Sequence, residues 1–321
     1  MIDIIIPCKD SHKTLSKLLC SIASQIGVEQ SRITIVNRIG DSDYSEEIKR
    51  FSSIMNIQEL NYSNDIKGVG GARQFGLDHT SEPYVMFCDS DDLLYDNLVL
   101  QNLYRPFSEN ENLHAVYGQI VQVEKGELKT IPQEHFLWLH GVMYSRRFLE
   151  KNNIRFFDNS AGEDAGFNKQ VKMLSDRSTI KFLDIPVYFW TDWNGPNRIN
   201  TKEFAFFSSK KGLVDNMIFA IKNVMRVSNS PYIKGEVIAE LCNLFLQAQL
   251  AIKEDPSREE TLIEWATLYY NEIYKLFEAD ITTEEFEYIY FENLKAFFDK
   301  RDFFSFSFDI HTFLDKLRNF H

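Results

Sequence analysis

Tyr84-Val85-Met86-Phe87-Cys88-Asp89-Ser90-Asp91-Asp92 is the stretch on which the reading of the fold turns. An uninterrupted apolar run ends abruptly in a cluster of carboxylates. Apolar residues without alternation suit a strand buried on both faces, so the acids stand at that strand's carboxyl end. Upstream, Gly68-Val69-Gly70-Gly71 forms a flexible turn into a helix from Ala72 to about His79. Ile57–Leu60 and Arg32–Val36 read as strands with a helix, Tyr44–Met55, between them. Leu15, Leu18, Leu19, Ile22 and Ile26 recur at helical spacing, and Ile2–Pro7 is a β-branched strand closed by proline. Strands separated by single helices imply parallel pairing in an open α/β sheet. Ligands bind such sheets beyond the carboxyl ends of the strands, so the polar residues after Ile6, Val36 and Cys88 should converge on one crevice.

Downstream, Leu93–Tyr104 reads as a helix, residues 113–123 and 128–131 as a hairpin, and Ser145–Lys151 as a helix. A loop over residues 157–162 leads into a helix from Glu163 to about Leu174. Ile180–Trp190 reads as two strand pieces broken at Pro186. From about Lys202 the texture changes to amphipathic helices: Val237, Leu241, Leu244, Phe245 and Ala248 share one face, and Thr282 or Thr283 caps a later helix. The expected division is 1–200 for the α/β domain and 201–321 for an all-α domain.

The chain has 321 residues, 44% of them apolar, which supports globular structure throughout. A net charge of −12 disfavours a broad nucleic-acid groove. An acidic protein still binds an anion when a divalent cation bridges the two. The cysteines Cys8, Cys20, Cys88 and Cys242 form no CxxC pair and no zinc spacing, so reduced thiols and a cytoplasmic location are expected. No run approaches the roughly 20 apolar residues of a membrane span, so at most a peripheral membrane association is expected.

Three segments carry chemistry. Carboxylates crowded at Asp89-Ser90-Asp91-Asp92 repel one another unless a cation or donors offset them. Mn²⁺ or Mg²⁺ suits such oxygen ligands and also takes phosphate oxygens; the plain alternative is an Asp-rich helix cap. In Lys67–Gly76 the glycines permit close approach and the helix start favours an anion, with Lys67 and Arg73 adding positive charge; the alternative is an ordinary loop-to-helix junction. Gly162-Glu163-Asp164 opens a helix with two acids, which the helix dipole alone would favour, or which include a general base.

The order IDIIIPCKDSHKTLSKLLCSIASQ, KGVGGARQFGL, YVMFCDSDDLL, GEDAGFNKQ resembles the family 2 glycosyltransferases of GT-A fold, over roughly residues 1–198. The resemblance implies inverting transfer from a nucleoside diphosphate sugar, UDP by default, to a glycan or other hydroxyl acceptor. It implies that Asp91 holds the metal with Asp89 near it and near the ribose or diphosphate, that Asp164 is the base beside Glu163, and that Ser90 lies in the donor site. Pro7, Cys8 and Lys9 would line the nucleobase pocket with Arg73 close by. Where the family has an Asp-Asp-Gly-Ser stretch, this chain has Asn37 and Arg38, able to bond a nucleobase and a phosphate. No Gln-x-x-Arg-Trp occurs, which separates the chain from the processive polysaccharide synthases. Trp138 and His140 fall where the family approaches donor sugar and acceptor, although core packing accounts for them equally. The loop Thr191–Arg198 reads as a lid with Arg198 on an anion, or as a linker. The many C-terminal aromatics, Tyr288, Phe291 and Phe303 among them, read as core or homo-oligomer interface, with an acceptor groove also open. Three other readings remain: a non-catalytic sugar-nucleotide or glycan-binding module, a glycosyltransferase acting on a modified nucleobase, and a nucleotidyl transferase that uses the same α/β sheet.

Overall fold

The computed structural model describes residues 1–124, 126–133, 138–159, 161–191, 204–299 and 303–320. The chain divides into two compact units, Met1–Leu213 and Val214–His321. In the first, β1 (Ile2–Cys8), α1 (His12–Ala23), β2 (Ser31–Arg38), α2 (Ser45–Phe51), β3 (Asn56–Tyr62), α3 (Val69–Asp78) and β4 (Tyr84–Phe87) alternate as expected. There follow β5 (Leu93–Leu94), α4 (Val99–Glu109), β6 (Ala115–Glu124), β7 (Glu127–Ile131), β8 (Val142–Ser145), α5 (Arg146–Lys151), α6 (Glu163–Met173) and β9 (Ile180–Trp190). The sheet order is β3-β2-β1-β4-β8-β6-β9-β5, with β7 on β6. β3, β2, β1 and β4 are parallel, β8 runs antiparallel between β4 and β6, and β9 returns parallel to β6.

Every residue of β1 is buried, because helices cover both faces. Ile4 and Ile6 pack with Leu15, Leu18, Ile22, Leu103 and Phe107 on the α1 and α4 side. Ile5 packs with Ala72, Leu77, Phe87, Tyr144, Phe167 and Val171 on the α3 and α6 side. This two-sided burial is what the apolar runs without alternation predict.

Three local expectations change. The helix expected over Leu93–Tyr104 begins only at Val99, because Leu93 and Leu94 pair with Phe189 and Tyr188 of β9. Ser145 closes β8 and the helix after it starts at Arg146. β9 is one strand rather than two: the register with β6 shifts around Gln119, which faces Pro186, so an irregularity in the partner strand absorbs the proline.

α7 (Phe204–Val227) crosses the division between the units. The second unit contains α8 (Tyr232–Glu254), α9 (Glu259–Glu272), α10 (Thr283–Phe298) and α11 (Ile310–Asn319). Phe245 of α8 is fully buried among the rings of Tyr290, Phe306 and Phe313. Thr282 caps α10 through a reciprocal pair with Glu285. Tyr288, Phe291 and Phe303 are exposed. Among the described residues no helix is long and apolar enough to cross a membrane.

Candidate active site

The crevice opens where β1 and β4 part. The Cys88 amide donates to the Ile5 carbonyl at 3.1 Å, and no later residue of β4 pairs with β1. β1 continues with β2 as far as Cys8 and Asn37. Pro7 sits just past the split, where its missing N–H takes no rung from the β4 side. Asp89 is therefore the first residue free of the sheet. Its amide donates to the Tyr188 hydroxyl at 3.0 Å. The Asp92 amide closes a turn on the Asp89 carbonyl at 3.1 Å. Thr191, at the end of β9, gives its amide to Asp92 Oδ1 at 3.1 Å and its hydroxyl to the Asp91 carbonyl. Asp92 thus ties the turn to β9 instead of capping the next helix.

Two segments bring positive charge to Asp89. Arg73 of α3 donates from Nη2 to Asp89 Oδ1 at 2.6 Å and from Nη1 to Glu163 Oε1 at 2.6 Å. His140, just before β8, lies with Nε2 2.9 Å from Asp89 Oδ2. An ionised carboxylate only accepts, so Nε2 carries the proton. Arg73 is 3% exposed and Glu163 7%. A guanidinium buried that far costs several kcal/mol unless carboxylates offset it, and here two do. Burial acts to raise the pKa of Asp89, but the charges of Arg73 and His140 outweigh it and hold the carboxyl well below its usual range. Burial acts to lower His140, and the Asp89 carboxylate more than reverses that, so its pKa rises. His140 Nδ1 and Arg73 Nε are buried without a hydrogen-bond partner.

The two acids of α6 diverge in environment. Gly162 before them has φ +77°, a left-handed conformation that favours glycine, and a Cβ there would lie 2.6 Å from Leu213. Glu163 is committed to Arg73. Asp164 is half-buried, and its Oδ1 accepts from the Ala165 amide at 2.7 Å. Burial, then the Glu163 charge, push its pKa up to about 6, against the opposing pull of His140 and Arg73. A carboxyl poised near neutrality beside a second, permanently paired acid is the pattern of an acid–base group.

The glycine-rich turn before α3 shows where its close approach goes. Asp158 Oδ1 accepts from the Lys67 amide at 3.1 Å and the Gly68 amide at 2.9 Å, and the Gly70 amide donates to the Asn159 carbonyl at 3.0 Å. A Cβ on Gly68, Gly70 or Gly71 would collide with Asn159, Phe157 or Asp158. The anion at this helix start is the chain's own carboxylate.

The remaining candidates lie around this centre. Pro7 and Cys8 are buried at the end of β1, and burial pushes the Cys8 thiol up, leaving it protonated. Ser90 turns its hydroxyl to Ser11 at 2.6 Å. Lys9 is exposed. Asn37, across from Cys8, donates to the Ser42 carbonyl and to Glu59 at 2.6 and 2.9 Å, and Arg38 pairs with Asp41 at 2.8 Å. Trp138 meets Trp190 edge to face at 5.3 Å, and Trp190 also touches the His140 ring at 5.2 Å. Asp91 is exposed. Arg198 lies outside the described residues. Sequence reasoning passed over Asp158 and Tyr188, and read Asp92 and Thr191 only as parts of the acidic cluster and of the loop after β9. Ligand atoms of Asp89, Asp92 and His140 all lie within 4.8 Å of one another.

The sequence model for glycosyl transferase family 2 matches residues 3–169. The chain belongs to glycosyl transferase family 2. A curated relative, the glycosyltransferase GlyA of Streptococcus pneumoniae serotype 4, is 28% identical over 214 residues, which is 58% of this family 2 chain and 30% of GlyA. The chain therefore spans about a third of that relative's length. Among solved structures, S. aureus TarS 1–349 in complex with UDP superposes with a TM-score of 0.67 at 16% identity, over 92% of this chain and 88% of that one. TarS 1–349 in complex with UDP-GlcNAc gives 0.59 at 17% identity, over 92% and 80%. The open, mostly parallel sheet followed by helices is the GT-A fold that the sequence led us to expect.

Proposed function

We propose that this protein is an inverting glycosyltransferase that moves a hexose or N-acetylhexosamine from a nucleoside diphosphate sugar, with UDP as the nucleotide, to an acceptor hydroxyl. One observation carries the reading: Asp89, Arg73, His140 and Glu163 form a single bonded network, with Asp164 under its electrostatic influence, at the carboxyl edge of the sheet. The fold shared with TarS in its UDP complexes supports the choice of donor class.

The donor set fits a hard divalent cation: Asp89 and Asp92 offer carboxylate oxygens within 4.8 Å of one another and of a His140 ring nitrogen, and exposed Asp91 lies between them in sequence. Asp89 and Asp91 are assigned to Mn²⁺ or Mg²⁺, which when bound offsets the charge of the departing diphosphate. The chain's own residues do the rest. Arg73 and His140 keep Asp89 ionised and oriented. Asp164 takes the acceptor's proton as the acceptor oxygen bonds to the anomeric carbon, opposite the breaking bond to the diphosphate, so the anomeric centre inverts. Pro7, Cys8, Lys9, Asn37 and Arg38 are assigned to the nucleotide side, with Lys67, Ser90 and Arg198. Trp138 is assigned to the sugar side. The second unit, with Tyr288, Phe291 and Phe303 outward, is assigned to acceptor binding or self-association.

The test is a panel of UDP-, GDP-, dTDP- and CDP-sugars, each with and without Mn²⁺. Release of a nucleoside diphosphate from one donor, dependent on the ion, is the expected result. Pyrophosphate as product would point to nucleotidyl transfer, and a panel with neither product nor any rise in melting temperature would leave the proposal without support.

A further inference from the structure

We infer that Asp158 is a positioning residue for the reaction: it holds residues 157–159 against the start of α3 and thereby sets where Asp164 stands. The inference rests on the transferase reading above, because the group it positions is the base of that reading. Asp158 touches neither Asp89 nor Asp164. What it does touch is the start of α3. Both of its oxygens accept from the Lys67 amide, at 3.1 and 3.0 Å, and Oδ1 also accepts from Gly68. These amides have no partner inside the helix, and the positive end of the helix dipole favours the carboxylate.

The clamp continues on either side. The Asn159 carbonyl takes the Gly70 amide, and the Phe156 amide donates to Gln74 Oε1 of α3 at 2.9 Å. On the other flank, Gln170 of α6 exchanges bonds with the backbone of Arg155, at 3.2 and 2.8 Å. The segment that delivers Glu163 and Asp164 is therefore bonded to α3 on one side and α6 on the other. α3 also carries Arg73, which reaches Glu163. The clamp and the ion pair join the same two elements at separate points. The three tight glycines are explained by the same packing, since each would strike this loop if it gained a Cβ. Reaction rates are sensitive to such placement: a displacement of about 1 Å at the reacting groups can cost about a hundredfold.

The experiment compares Asp158→Asn, Asp158→Ala and Gly70→Ala with wild type, below the melting temperature of every variant. Measured quantities are kcat, donor KM, donor binding by calorimetry and the acid limb of the pH profile. Asp158→Asn keeps the shape and one strong acceptor, so it should lose only a few-fold in kcat. Asp158→Ala and Gly70→Ala should each lose about tenfold or more, with donor binding within about twofold, and their acid limb should move because Asp164 shifts relative to Glu163 and Arg73. A folded Asp158→Ala variant with wild-type kcat and an unmoved limb overturns the inference, since a purely structural clamp would change melting temperature alone. Wild-type protein that transfers no sugar would instead remove the reading on which this rests, so the two failures are distinguishable.

Discussion

Among the described residues two arginines are buried in the first unit, one at each end of the β1–β4 pair, and they are built differently. Arg146 lies at the amino end of β1. Its Nε donates to the Glu82 carbonyl, Nη1 to the Leu77 carbonyl, and Nη2 to Thr80 and to Asp3 at 2.9 Å. Asp3 is fully buried. Arg73, beyond the carboxyl end, reaches two carboxylates but leaves Nε without a partner, and its partner Asp89 is 31% open to solvent. One pair is closed and spends its donors on backbone. The other faces a crevice and keeps an open acid. The difference separates a joint that holds the sheet from a joint that holds reacting groups, although burial and pairing alone would class them together.

The largest effect that tests this contrast lies at the open end. Asp164→Asn should lower transfer by about 10²–10⁴-fold while calorimetry finds donor affinity unchanged; more than a tenth of wild-type activity would end the assignment of the base. At the closed end, Arg146→Met should cost about 3–5 kcal/mol of stability, because Asp3 stays buried without its counter-charge. Denaturant titration reads that loss, and the folded fraction should keep its kcat. An unstable Arg73 variant with full activity, alongside an inactive Arg146 variant, would invert the comparison. Arg73→Lys keeps the charge but not the fork that spans two carboxylates, and should cost about tenfold in kcat with little change in melting temperature. The smallest effect is on pH. The base works ionised, so transfer should rise as pH increases through about 6, where burial and Glu163 place Asp164. Glu163→Gln removes the neighbouring negative charge, so the rising limb should move to lower pH; a limb that stays put would detach it from Asp164.

The centre of the sheet was legible because β1, β2 and β4 are buried on both faces, which writes that part of the fold into short apolar runs, whereas the short strands β5 and β8 gave no such run. The acids at the end of β4 were legible for the same reason, since a polar break after such a run marks a strand end. What escaped was held by partners remote in sequence. Asp92 looks like a helix cap until Thr191, 99 residues later, is seen to donate to it. The glycines before α3 announced a close approach, and the approaching group is Asp158, about 90 residues away, with no local signal to mark it. Pro186 argued for a break that an irregularity in β6 removes.

The separation of Asp3 from Arg146, 143 residues apart, has a consequence for biosynthesis. Strand β1 leaves the ribosome well before the guanidinium that neutralises its buried acid, which follows 143 residues later. Nascent chains shorter than that carry a sheet edge and an unpaired acid together, the state in which chains aggregate or recruit chaperones. Fragments ending before Arg146 should accordingly be poorly soluble, and extension past it should restore protease resistance in one step.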